Sequence, residues 1–342
     1  MTIYFCLFEL ACAHSEENNK MFDDITSEIG QAPPETNRVA VILGYFDGKS
    51  YIADQLCSIF NQSHTAFHIF LWDDCSATPF SFDDINLDTE QLAKISIGVR
   101  PENIGFTDNF LNALASINDS FEYFAFSDQD DIWREHKLEK AIAALSAISS
   151  SIPALYSART EIVDVTCSQT LGYSSLFSRP PSFANALIQN IGGGNTMVFN
   201  KAAKDLIIAS KINALVVSHD WWCYQIVTGA GGCVVYDSEP CLKYRKHGAN
   251  LAGENISWSA RFLRIRGLLQ GIFRDWNDIN IKALTDKKHL LTKDNVRALN
   301  DFTEARKSGL LKRFVLFRRS GIYRQTLFGN LGLLLGLLLN KV

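Results

Sequence analysis

Between residues 38 and about 150, continuous apolar runs alternate with segments of helical periodicity. This alternation predicts an α/β protein, a parallel sheet covered by helices on both faces. Two of the runs end abruptly in carboxylates, Asp73-Asp74 and Asp128-Gln129-Asp130-Asp131. Ligands of such sheets bind outside the carboxyl ends of the strands, so both acidic groups belong on one rim. Past residue 255 the pattern turns helical and basic.

The elements follow in order. RVAVILGYF (38–46) is apolar throughout, as a strand buried on both faces must be. Ser50 to Phe60 carries Ile52, Leu56 and Ile59 on one helical face. FHIFLW (67–72) is the second strand and ISIGV (95–99) the third. A helix follows with Phe106, Phe110, Leu114 and Ile117 on one side. FEYFAF (121–126) is the fourth strand, and a helix covers about 134–148. From 150 to 250 short strands are expected near 154–158, 196–199 and 233–236, among many turn residues. Three regions result: a leader over 1–37, polar from residue 13 and ending after Pro33-Pro34, a main domain over 38–254, and a basic amphipathic helical region over 255–342.

Hydrophobic residues make up 47% and charged ones 20%, which excludes disorder, collagen and coiled coil. The net charge of -4 hides an asymmetry: residues 255–342 hold 17 Lys/Arg against 6 Asp/Glu, and the rest is acidic. Residues 306–324 interleave cations with Leu311, Phe314, Val315, Leu316 and Phe317, a pattern that suits an interfacial helix on an anionic inner leaflet. A helix packed on the main domain, or on a second subunit of a homodimer, is the plainer alternative. Nothing in the pattern points to nucleic acid. Eight cysteines without a CxxC pair point to a reduced, cytoplasmic chain. The apolar N-terminus has no Lys or Arg before it and is a poor signal peptide. The longest apolar stretch, Leu327 to Leu339, is thirteen positions, short of the ~20 a spanning helix needs. Peripheral attachment to the cytoplasmic face of the inner membrane is therefore the expectation.

Several motifs are decoys. Gly44 to Ser50 has three residues between its glycines where a phosphate loop needs four, and no GxGxxG is present. The acidic run lacks the glycine and distal Glu of a calcium-binding hand. What remains is Asp128, Asp130 and Asp131 after a buried strand. Carboxylates this close repel one another unless a cation gathers them. Magnesium or manganese, with substrate phosphates completing the shell, suits such a group; a solvated acidic turn is the alternative.

FSDQDDIWREHKL (126–138) resembles the DxD region of bacterial family-2 glycosyltransferases, most closely their rhamnosyltransferase branch. Gly44 to Ile59 is similar to that family's first strand–helix unit, and Asp73-Asp74-Cys75-Ser76 to its DDxS element. Asn103-x-Gly105 is similar to a later loop, and Ser218-His219-Asp220-Trp221-Trp222 to its acceptor-side acidic motif. Tyr244 to Asn250 is similar to its YRxHxxN closing motif. Gly44-Tyr45-Phe46-Asp47-Gly48 replaces the usual Ala-Thr-Tyr-Asn-Gly, and Cys75 replaces a glycine, both where the nucleobase binds.

The resemblance implies a GT-A fold, a mixed and mostly parallel sheet with helices on both faces. It further implies an inverting glycosyltransferase of cell-surface polysaccharide synthesis, with dTDP-rhamnose as donor and a saccharide or lipid-linked saccharide as acceptor. Gly44, Tyr45, Phe46, Asp74, Asp128, Gln129 and Asp130 would bind the nucleotide sugar. Asp128, Asp130 and His247 would hold a divalent metal, Mn or Mg. Asp220, in a first helical turn behind the N-cap Ser218, would be the general base. Asn195, Trp221 and Trp222 would lie on the acceptor side, the two tryptophans being equally suited to the core. Two other readings stay open. One is a haloacid-dehalogenase-like phosphatase with Asp128 as nucleophile and Asp130 as acid/base; the other is a non-catalytic nucleotide-sugar or glycan-binding subunit.

Overall fold

A computed structural model of the protein describes residues 37–83, 85–211, 214–247 and 271–342. The leader through residue 36, the boundary near 254 and the Gly248-Ala249-Asn250 end of the closing motif lie outside the described residues.

In chain order the first half reads β1 (Val39–Tyr45), α1 (Ile52–Phe60), β2 (Phe67–Asp73), α2 (Thr89–Ala93), β3 (Ile95–Val99), α3 (Phe106–Ser116) and β4 (Tyr123–Ser127). Then come β5 (Ile132–Trp133), α4 (Lys137–Ser146), β6 (Ala154–Val163), β7 (Thr170–Tyr173), α5 (Phe183–Ala186), β8 (Val198–Asn200), α6 (Lys201–Lys211), α7 (His219–Gly229) and β9 (Cys233–Arg245). Four further helices follow: α8 (Ile272–Asp286), α9 (Lys293–Lys307), α10 (Leu310–Ser320) and α11 (Leu327–Leu338).

The strands form one mixed sheet in the order β3-β2-β1-β4-β8-β6-β9-β5, with β7 beside β6. β1 through β4 are mutually parallel where they pair; β8 joins antiparallel to both β4 and β6, and β9 returns parallel to β6. Tyr45 pairs with Asp73 and Leu43 with Ser127, so β1, β2 and β4 finish at one edge. That places Asp74 and Asp128 on the same rim, as strand polarity predicts.

The apolar runs are continuous because both faces are covered. Ala40 and Ile42 join Phe70, Phe110, Phe124 and Phe126 in one layer. Val39, Val41 and Leu43 join Leu56, Ile69 and Leu138 in the other. β9 runs thirteen residues where the sequence marks only its first four. The pairing jumps from Ala158–Asp237 to Arg159–Pro240, so polar Ser238 and Glu239 bulge out and interrupt the apolar signal.

The last four helices pack on the sheet domain. Leu284, Leu299, Phe302, Leu316, Leu333 and Leu337 belong to the same apolar cluster as Phe183, Trp222 and Ile226. Backbone N–H of Thr292 donates to Gly229 O at 3.0 Å, and Asn295 Nδ2 donates to Thr228 O and Gly229 O. Truncating Phe302, wholly buried, would cost about 3–5 kcal/mol by cavity formation.

His68 supplies a pH test of the core. Its Nε2 lies 2.8 Å from Ser96 Oγ, and burial, aided by Arg38, pulls its imidazole down to about 4. The folded chain therefore binds this proton less readily than the unfolded one, whose histidine titrates near 6.5. The His68 contribution is complete above about pH 6.5 and is lost as pH falls towards 4, by roughly 2–3 kcal/mol. Urea unfolding of wild type and His68→Asn at pH 7 and pH 4.5 should show a smaller pH effect in the variant.

Candidate active site

The rim is built from three loops. After β2, Asp73 turns inward: its carboxylate accepts from Ser76 N at 2.8 Å, Ser76 Oγ at 2.6 Å and Phe80 N at 2.9 Å. Asp74 accepts from the backbone N–H groups of Ile104 and Gly105 at 3.0 and 2.9 Å, while Asn103 Nδ2 donates to Asp74 O. The DDxS element and the Asn-x-Gly loop thus brace each other. Cys75 sits at φ +61°, which a glycine adopts without strain. This accounts for the glycine usual at that place.

Of the three residues at the end of β1 and just beyond, only Phe46 offers its side chain to solvent, 47% exposed. Tyr45 is buried with its ring edge-on to Phe80, and a Cβ on Gly44 would come 2.8 Å from Phe110. Gln129 closes the loop with both ends of its amide: Phe46 N donates to its Oε1 at 2.8 Å and its Nε2 donates to Phe46 O at 2.9 Å. Gly48 lies beneath that amide, where a Cβ would fall 2.1 Å from Oε1. Gln129 is therefore a clamp on the Phe46 loop.

Behind Gln129 lies the acidic cluster. Ligand oxygens of Asp128, Asp130 and Asp131 lie within 4.8 Å of one another. Asp128 is half-buried, and its carboxyl is pushed up to about 7 by burial first, then by the charges of Asp130 and Asp220. Asp131 is wholly buried, and burial drives its carboxyl well above the usual range. Its Oδ2 accepts from Asn195 Nδ2 at 2.6 Å, but its Oδ1 is buried with no hydrogen-bond partner among the described residues. Asp130 Oδ2 meets His247 Nε2 at 2.7 Å, and the His247 ring stacks on Tyr51 at 4.7 Å. Arg245 supports the loop from below, donating to Asp130 O and pairing with Asp54 at 2.8 Å.

Sequence reasoning missed Lys137. Only 1% exposed, its Nζ donates to Asn195 O at 2.5 Å and lies 3.4 Å from the Trp133 ring centroid. Burial pulls this ammonium down to about 8, opposed by Cys241, Asp131 and Asp128. It is a fixed internal cation beside the carboxylates. The signal for it was a lysine one helical turn beyond Trp133, which reads equally well as a solvated first turn.

Asp220 lies in the first turn of α7 behind Ser218, as expected. The hydroxyl of Ser218 does not cap the helix, however: Ser218 Oγ donates to Asp220 Oδ1 at 2.5 Å, and Trp221 N donates to the same oxygen at 2.7 Å. Asp220 itself fills the cap and is fixed in orientation. Its Oδ2 accepts from no protein donor among the described residues.

The three acceptor-side candidates are all buried. Trp222 is wholly buried with its Nε1 donating to Ser210 Oγ at 2.9 Å, the core placement of the two that its sequence allowed. Trp221 is 7% exposed and its Nε1 donates to Ala186 O at 2.6 Å. Asn195 donates its side-chain Nδ2 to Asp131, and its backbone carbonyl accepts from Lys137 Nζ.

The model of the glycosyl transferase family 2 matches residues 40–206. The dTDP-rhamnosyl transferase RfbG of Shigella flexneri is 30% identical over 234 residues, which cover 64% of this chain and 76% of that protein. The chain belongs to glycosyl transferase family 2. Among solved structures, S. aureus TarS 1–349 in complex with UDP-GlcNAc has a TM-score of 0.48 at 15% identity, over 84% of this chain and 93% of that one. The mannosyltransferase PcManGT of Pyrobaculum calidifontis, with GDP-Man and Mn2+, has a TM-score of 0.42 at 13% identity, over 92% and 96%. Membership in this transferase family sets aside the phosphatase reading of Asp128. The matched range includes the Asp128–Asp130 turn on the strand-end rim.

Proposed function

We propose that this enzyme transfers rhamnose, from dTDP-rhamnose and with inversion, to a saccharide or lipid-linked saccharide of a cell-surface polysaccharide. It would work at the cytoplasmic face of the inner membrane. The observation that carries the reading is the arrangement of Asp220: one oxygen pinned by Ser218 and Trp221, the other unengaged, and its charge felt at Asp128. The RfbG name supports the donor.

Asp128, Asp130 and His247 are the residues that would hold a divalent cation, with Asp131 behind them. The carboxylate oxygens of Asp128, Asp130 and Asp131 suit Mg or Mn, and Asp131 Oδ1, without a partner among the described residues, is the kind of buried acceptor that a cation or its water satisfies. When bound, such a cation offsets the charge on the leaving nucleotide diphosphate. Asp74 and the Phe46 loop receive the base. Asp220 Oδ2 takes the proton from the acceptor hydroxyl as its oxygen bonds to the anomeric carbon, and the donor's glycosidic C–O bond breaks on the opposite face. Ser218 and the Trp221 N–H keep the carboxylate aimed during this step.

Calorimetric titration with dTDP-, UDP- and GDP-sugars, with and without manganese, tests the donor. Metal-dependent binding of the dTDP sugar is expected. Binding of only a UDP or GDP sugar would reassign the base, and no binding at millimolar donor would overturn the nucleotide-sugar reading.

A further inference from the structure

α11 buries Leu333 and Leu337 against the domain, which should leave its outer face polar. It does not. Leu327, Leu331, Leu334, Leu335 and Leu338 are between 42% and 74% exposed, and they recur at the three- and four-residue spacing of one helical face. No charge interrupts α11. Next to it, α10 exposes Leu311 at 86% and Val315 at 65%, flanked by the exposed cations Lys312, Arg318 and Arg319. The two helices are joined by Arg313, which donates to Leu337 O at 2.7 Å. An apolar surface of this extent in contact with water requires an occupant.

We infer that the outer face of α11, with the cations of α10, is a docking surface for an anionic lipid bilayer and lies in the plane of the interface. Residues 306–342 contain eight Lys/Arg and no Asp or Glu; Arg306, Lys312 and Arg319 pair with Asp278, Glu304 and Asp301, while Lys307 and Arg318 are exposed with no ion-pair partner among the described residues. Such a stretch is complementary to anionic headgroups. It is self-repelling across a two-fold axis, which disfavours a second copy on the same face. α11 has twelve residues, about 18 Å of helix against a hydrocarbon core of about 30 Å, so it cannot span. Its apolar outer side with basic neighbours is instead the pattern of an in-plane helix.

The surface is also tied to the site. At the α10–α11 junction, Ser182 Oγ donates to Tyr323 OH, and Asn185 Nδ2 donates to Tyr323 O. Gln325 Nε2 donates to Arg179 O and Gln325 N to Gln189 Oε1. The segment so held leads directly into Asn195, which carries Asp131 and Lys137. A docked α11 therefore orients the acid cluster relative to the lipid surface. This inference deepens the reading of a membrane-borne acceptor and rests on it for its purpose, though not for its test.

The test is flotation of the full chain with vesicles of equal parts phosphatidylglycerol and phosphatidylcholine, and with phosphatidylcholine alone. Wild type should float with the anionic vesicles and weakly with the neutral ones. Leu331→Glu/Leu335→Glu should lower that binding about tenfold or more, and Arg318→Ala in α10 less, with a weaker salt dependence. Circular dichroism and donor titration on the same proteins should be unchanged. If wild type does not float, or if both variants float equally well, the docking surface is wrong whatever the donor result. A wild-type dimer that the leucine variant dissociates would assign the face to a second copy and overturn the inference.

Discussion

Asp220→Asn should lower kcat by about 10²–10⁴-fold while leaving donor and metal affinity within about twofold of wild type. The amide keeps the shape, and its oxygen can still accept from Ser218 and Trp221, which donate to Oδ1 of the acid at 2.5 and 2.7 Å. Only the capacity to take a proton is removed. The variant should also relieve Asp128 of one of the charges that push its carboxyl up. Steady-state kinetics beside calorimetry separates the two effects. An Asp220→Asn enzyme with near-normal kcat would remove Asp220 from the chemistry. A parallel loss of donor binding would make it a structural cap.

Asp130→Asn should weaken divalent-cation affinity at least about 100-fold and carry activity down with it. Asp130 is the central member of the cluster and the partner of His247 at 2.7 Å, so His247→Gln should show a smaller loss, about tenfold. The pH dependence gives a second readout. The Asp128 carboxyl stands at about 7, chiefly through burial and then through Asp130. Below that value a cation must displace a proton, so manganese affinity should rise with pH towards about 7 and flatten above it. In Asp130→Asn the larger of the two neighbouring charges that raise Asp128 is gone, and the rise should move to lower pH. Titrations of manganese between pH 5.5 and 8 measure both shifts.

The fold was legible from residue 38 to 148 because strands buried on both faces write themselves as unbroken apolar runs. The rim followed from strand direction alone. Legibility failed where the chain departs from those rules, as in β9, whose bulge places Ser238 and Glu239 inside a strand. Within the site, the exposed or half-exposed acids Asp128, Asp130 and Asp220 stood out by charge. The supporting residues did not. Lys137 and Asn195 act by being buried, and burial of a polar side chain is a property of the tertiary structure, not of spacing. Trp222 was ambiguous for the mirror reason: an aromatic beside an acidic residue reads equally as a sugar platform or as core, and only its burial and its bond to Ser210 show it facing inward.

The clamp of Gln129 on Phe46 has a consequence for redesign. One peptide segment carries Asp128 and Asp130, the acids proposed for the cation, on either side of the residue that pins the loop proposed for the base, so the two proposed recognition tasks are not modular. A transplanted base-reading loop whose backbone runs differently at Phe46 would leave this amide without the N–H and C=O that now meet it at 2.8 and 2.9 Å. The turn bearing Asp128 and Asp130 would then lose its anchor. Donor exchange in this enzyme should require the loop after β1 and the turn after β4 to be moved together, as one cassette.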